Sequence, residues 1–176
     1  MEGKRMNGMG YHNAQAVYRL SREGRLNKTT ESKTTDDKIS TLDSLALHML
    51  VYMALSSVDP EDTEGCRKYP ARCYWAGWDA MVEDFGMALP SKEQAIKSLK
   101  GEISLEEYLA KRRKNARTTL SKKAKWLTEQ GLIKCIRPSN TFLGRNATWV
   151  LLLGDDEENA RIIAAAKRKF KIKEKN

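Results

Sequence analysis

The sequence predicts a mainly α-helical chain with one small β element, an α+β fold, and three observations carry that prediction. A cationic stretch, residues 111–125, repeats its apolar residues at helical spacing and continues to Gly131. Two short β-prone runs follow, residues 132–137 and 148–153, separated by a turn-rich segment. Upstream, residues 42–55 are apolar on nearly every side and residues 78–85 are amphipathic, so helices outnumber strands. At 176 residues the chain is long enough for one domain with its own core, and 40% hydrophobic with 31% charged residues is a globular composition.

Residues 1–39 are polar, hold eight Lys/Arg against five Asp/Glu, and are rich in Asn, Thr, Ser and Gly. A polar leader, disordered over part of its length, is expected there. Within it, residues 13–22 (NAQAVYRLSR) can form a short helix with Ala14, Val17 and Leu20 on one side; packing on the domain, meeting a partner and fraying all stay open for it. Ser40-Thr-Leu-Asp43 reads as a capping signal, opening residues 42–55 as the buried first helix of a domain that spans 40–154. Residues 56–72 read as a loop by their Pro, Gly and acid content. Trp78, Met81, Val82 and Phe85 fall at i, i+3, i+4 and i+7 before Gly86, a compact helix with a glycine stop and Trp78 in its core stripe. Ser91-Lys-Glu-Gln94 is a capping box for a short helix that ends at Gly101, and Ser104-Leu-Glu-Glu107 opens the helix that runs into the cationic stretch. Finally, Asp155-Asp-Glu-Glu158 precedes NARIIAAAKRKF, acids first and bases last, as suits the helix dipole. Residues 155–176 are therefore a C-terminal helix and basic tail, with Ile162, Ile163, Ala166 and Phe170 as a stripe able to pack back or to meet a second subunit.

Residues 111–125 hold eight Lys/Arg and no Asp or Glu. With Leu120 at zero and steps of about 100°, Leu109, Ala116, Ala124 and Leu127 fall within about 40° of it and form a core stripe. Opposite lie Lys111, Lys114, Asn115, Thr118, Ser121, Lys122 and Lys125, all polar, with Arg117 on the flank. A merely solvated helix mixes signs, and this one has no acid until Glu129. The asymmetry extends further: residues 111–154 carry eleven Lys/Arg against one Glu, and residues 56–110 six against eleven acids. Such a dipole steers a polyanion to one end.

Helix, glycine stop, strand, basic loop and strand, carried by WLTEQGLIKCIR and GRNATWVLLL with LALHMLVYMAL and YWAGWDAM upstream, resemble the winged helix-turn-helix family. The likeness is to the small members encoded by actinobacterial phages, plasmids and their hosts, and covers about residues 40–154. It implies sequence-specific binding of double-stranded DNA by a transcriptional regulator of phage or plasmid type. Lys114, Asn115, Arg117, Thr118, Ser121 and Lys122 would lie in or along the major groove and Lys111 and Lys125 on flanking phosphates. The wing would contribute Arg137, Asn140 and Arg145, the helix at 78–85 would support the reader, and residues 13–22 gain a further open role as an arm along the duplex. Many relatives act as dimers, so a homodimer is compatible. The chain departs from the family at residues 88–103, where the usual link of about 3 to 4 residues is replaced by a short helix. We read this as an insertion, because residues 91–100 hold three Lys against one Glu and no strand follows them. A replication initiator is the nearest alternative, although those usually carry two such units. An interaction module with a generic basic face is the alternative of another class. RNA is disfavoured, since no aromatic interrupts residues 111–125.

No phosphate loop, HExxH or GxSxG motif is present and only two His are available, so an enzyme is not expected, nor a cofactor. Cys66, Cys73 and Cys135 form no CxxC pair, and without metal-ligand spacing they read as reduced thiols, with Cys135 packed in a strand. No signal peptide or membrane-spanning run is visible, which points to a cytoplasmic protein with no membrane partner.

Overall fold

The computed structural model describes residues 10–31 and 38–172. Expected disorder in the leader, where it concerns residues 1–9 and 32–37, and the last part of the basic tail, residues 173–176, lie outside the described residues. The fold is mixed, mainly helical with two small antiparallel sheets. The chain divides into two compact units, one of residues 1–75 with 127–176 and the other of residues 76–126.

The first unit opens with α1 (Tyr11–Arg22), which buries Asn13, Ala14, Ala16, Val17 and Leu20. The apolar side read from the sequence is thus a packed face, and the helix belongs to the core of its unit. Its start is set by Gly10, at φ 80°, where a Cβ would come within 2.4 Å of the Ala54 carbonyl oxygen in the next helix. Only glycine allows both that φ and that approach. A hairpin follows, β1 (Asn27–Glu31) and β2 (Lys38–Leu42), paired Asn27 to Leu42 and Thr29 to Ser40. Ser40 therefore sits in a strand, and the cap of α2 (Ser44–Leu55) is Asp43, whose side chain accepts from the Ala46 amide at 3.0 Å. Ala46, Met49, Leu50, Met53 and Ala54 are buried on α2, as its apolar composition requires, while Leu55 is exposed. The segment read as a loop at 56–72 contains α3 (Thr63–Lys68), one and a half turns capped by the Asp62 carboxylate on the Gly65 amide. It ends at β3 (Cys73–Tyr74).

The second unit holds α4 (Trp78–Asp84), α5 (Lys92–Leu99) and most of α6 (Leu105–Glu129). On α4, Met81 and Val82 are buried, but Trp78 is only half-buried, so the core assignment of that ring is corrected to a partial one. Ser91 caps α5 through the Gln94 amide, and Ser104 caps α6 through the Glu107 amide, so both capping boxes form at their serines. No residue of α5 is buried. Gly131, at φ 67°, ends α6: its amide bonds the Thr128 carbonyl and that of Leu132 bonds the Leu127 carbonyl.

The chain then re-enters the first unit with β4 (Ile133–Arg137), β5 (Thr148–Leu151) and α7 (Asp156–Lys169). The sheet runs β3-β5-β4, all antiparallel, with Cys73 opposite Val150 and Ile133 opposite Leu151. A register shift between Cys135 and Arg137 moves the inward position from Cys135 to Ile136. Cys135 is consequently in a strand but exposed, a correction to its expected packing. Asp155 caps α7, whose Ile162 and Ala166 are buried with Cys73, Ile136 and Val150 while Ile163, Phe170, Trp75 and Leu152 pack around them. The apolar stripe of α7 is thus used on its own sheet. Burial pushes the Cys73 thiol up to about 12, leaving it protonated and unreactive at neutral pH.

Candidate nucleic-acid interface

A 25-residue helix needs an apolar face and caps to hold, and α6 has both. Ala116, Leu120, Ala124 and Leu127 are buried, the stripe that the period requires, and Leu109 is half-buried. Fixing that stripe turns Lys111, Lys114, Asn115, Arg117, Thr118, Ser121, Lys122 and Lys125 outward, and all eight are exposed. Lys111, Lys114, Thr118, Lys122 and Lys125 follow one another at spacings of three and four, so they form one row along the helix. At 1.5 Å per residue the row is about 21 Å long.

Not every cation of the run faces outward. Arg112 is half-buried: it donates to the Met87 carbonyl at 3.0 Å and to the Tyr108 hydroxyl at 3.3 Å, with its guanidinium 5.9 Å from the Tyr108 ring centre. It ties α6 to the turn after α4. Lys123 lies 5.0 Å from the centre of the Trp126 ring. These two serve packing. The hydroxyl of Thr118 donates to the Lys114 carbonyl at 3.0 Å, the usual back-bond of a helical threonine, so in this rotamer it offers a phosphate no proton.

The run is free of acids in sequence but not in space. Asp79 of α4 pairs with Arg117, and Arg113 and Arg117 share with Asp79, Val82 and Glu83 the lining of a cleft of about 150 Å³. The hydrogen bond to Asp79 raises the Arg117 pKa further above its ordinary value, so its charge is permanent. Thirty-eight residues separate the two partners, which is why periodicity within α6 could not reveal the pair. Both side chains are more than half exposed, so the pair holds the guanidinium in place at little energetic gain. Asp79→Ala should therefore change the urea-unfolding free energy by less than about 1 kcal/mol.

The loop between β4 and β5 uses its polar residues internally. Arg137 donates from Nε and Nη2 to the Thr148 hydroxyl at 3.2 and 3.0 Å and lies 4.6 Å from the centre of the Phe170 ring. Burial first, and the nearby Arg145 second, lower its pKa. Asn140 accepts the Leu143 amide on its side-chain oxygen at 3.0 Å, and its backbone closes the loop on Arg145 through bonds of 2.7 and 2.9 Å. Arg145 is half-buried. The loop also exposes two large apolar side chains, Phe142 and Leu143. Trp75 is engaged by Tyr69 and Phe170.

Among the described residues no cluster of three or more His, Cys, Asp or Glu is arranged to hold a metal ion, and no helix is long and apolar enough to cross a membrane. Compared with protein-family models, curated proteins and solved structures, the chain finds no match.

Proposed function

We propose that this protein is a winged helix-turn-helix regulator of phage or plasmid type that binds double-stranded DNA in a sequence-dependent way through α6. The observation that carries the reading is the outward face of that helix: a row of cations with Asn115 and Ser121 beside it, opposite the stripe in which Ala116, Leu120, Ala124 and Leu127 are buried. A helix fits the major groove, lysines neutralise phosphates, and Asn and Arg pair bidentately with base edges. Asn115 and Arg117 are then the base readers, Arg117 steadied by Asp79, while Lys111 and Lys125 hold phosphates at the two ends of the row. Two further features support the reading. The helices α2, α4 and α6 and the strands β4 and β5 follow in the order that the resemblance expects, with α3, β3 and α5 between them. The inner bonding of Arg137 and Asn140 moves them from contact to loop-shaping, and leaves Arg145 as the cation of the wing.

The test is fluorescence anisotropy against duplexes selected from random DNA, with unselected duplex and single-stranded RNA as controls, each at two salt concentrations. A selected duplex should win over bulk DNA by about a thousandfold, and Asn115→Ala should erode that margin by about 1 to 3 kcal/mol. Equal binding of every polyanion, vanishing at physiological salt, would reduce the face to a generic basic surface and turn attention to an acidic protein partner.

A further inference from the structure

We infer that the first unit carries a binding cleft for a small phosphate-bearing anion, lined by α1 and by Arg72. The cleft has a volume of about 490 Å³, within the range of sites that take small ligands. His12, Arg19 and Arg22 line it from one face of α1, with Tyr18 beside them and Glu61 as the acid among the lining residues. Arg19 and Arg22 are exposed, while Arg72 is only 6% exposed.

Arg72 is the distinctive member. Its Nε donates to the Asn13 side chain at 3.1 Å and its Nη2 pairs with Glu158 at 3.0 Å, which fixes the plane of the guanidinium. Its backbone is pinned as well, the amide bonding the Val58 carbonyl and the carbonyl accepting the Leu151 amide, at a φ of 52° that a non-glycine residue seldom adopts. The remaining nitrogen, Nη1, is buried and has no hydrogen-bond partner. A buried charged donor without an acceptor is costly, so the guanidinium keeps an unmet demand for an acceptor beside the cleft that Arg72 lines. The nearby acids do not fill the need: Asp59 accepts the His12 and Asn13 amides, and Glu158 is already on Nη2. Glu158 offsets the charge of Arg72, so Arg19 and Arg22 against Glu61 leave the cleft cationic. One fixed guanidinium, together with the exposed ones of Arg22 and of Arg19, which also reaches the Leu153 carbonyl at 3.4 Å, matches the charge of a phosphate. Concavity and small volume favour a small molecule over a nucleic-acid backbone. The inference is independent of DNA binding by α6.

The experiment is isothermal titration of the full chain with inorganic pyrophosphate, and in a parallel arm with citrate, at constant ionic strength. Saturable binding of pyrophosphate is expected. Arg19→Ala and Arg22→Ala, both at exposed positions and therefore compatible with folding, should each weaken it on the order of tenfold, the loss of one charge-assisted contact. Lys114→Ala and Lys122→Ala should leave it unchanged. Absence of saturable heat, binding by either arginine variant as tight as that of the unsubstituted protein, or loss in the α6 variants would each overturn the site. Citrate binding as tightly as pyrophosphate would overturn the phosphate assignment.

Discussion

Asp59→Ala should destabilise the first unit by about 3 kcal/mol, the combined cost of two charge-assisted hydrogen bonds to backbone amides. Asp59 is 1% exposed and lies forty-seven residues from His12 in the helix it serves. Its two carboxylate oxygens accept the amides of His12 and Asn13 at 3.1 and 2.8 Å, which are among the unsatisfied donors at the start of α1. The local cap position is Gly10, which has no side chain to do this and is confined to glycine by its contact with α2. The chain therefore supplies the cap from elsewhere, and the negative charge also suits the positive end of the helix dipole. Truncation leaves two amides without their acceptor, one of them on the buried Asn13, whose side chain also donates to Val58 and accepts from Arg72. Urea unfolding followed by circular dichroism measures the loss. Asp59→Asn keeps one oxygen acceptor and should lose about half as much. A loss below about 1 kcal/mol for the alanine variant would show that water replaces the carboxylate, and that α1 is held by its apolar face alone.

That cap illustrates which parts of the fold the sequence made legible. Where one stripe is buried on a long helix, as with Ala116, Leu120, Ala124 and Leu127, the pattern survives in the sequence and α6 could be placed from it. The caps at Ser91, Ser104 and Asp155 were readable for the same reason, since each acts within three residues. The hairpin β1–β2 was hidden because every residue of β2 is exposed, so no apolar alternation marks it. The two-residue β3 is too short to carry a period, and a register shift reversed Cys135 and Ile136. In the candidate interface the exposed row was legible, whereas the pairing of Arg117 with Asp79 and the internal bonding of Arg137 needed the tertiary structure. The cleft at Arg72 was illegible altogether, since its cations come from α1 and from the entrance to β3, fifty or more residues apart.

Lys111→Ala combined with Lys125→Ala should lower DNA affinity roughly 60-fold at about 0.1 M salt and flatten the slope of log K against log salt by about 2. Both residues are exposed, and fourteen steps of a helix return Lys125 to within about 40° of Lys111, about 21 Å further along the axis. The major groove is about 12 Å wide, so a pair set that far apart on one face reaches the phosphates on either side while the residues between them address the groove. Each phosphate neutralised releases its condensed counterion, contributing about 0.9 to the slope, and the advantage shrinks to nothing as salt approaches about 1 M. Phosphate contacts carry no sequence information, so the double variant should keep the preference of the wild-type protein for a selected duplex. Asn115→Ala should do the reverse, losing preference at an unchanged slope, because a neutral amide displaces no counterion. Titration of both variants at three salt concentrations separates the two effects. If the lysine variant loses preference as well, its side chains are setting the register of the helix in the groove, and the division between holding and reading along α6 fails.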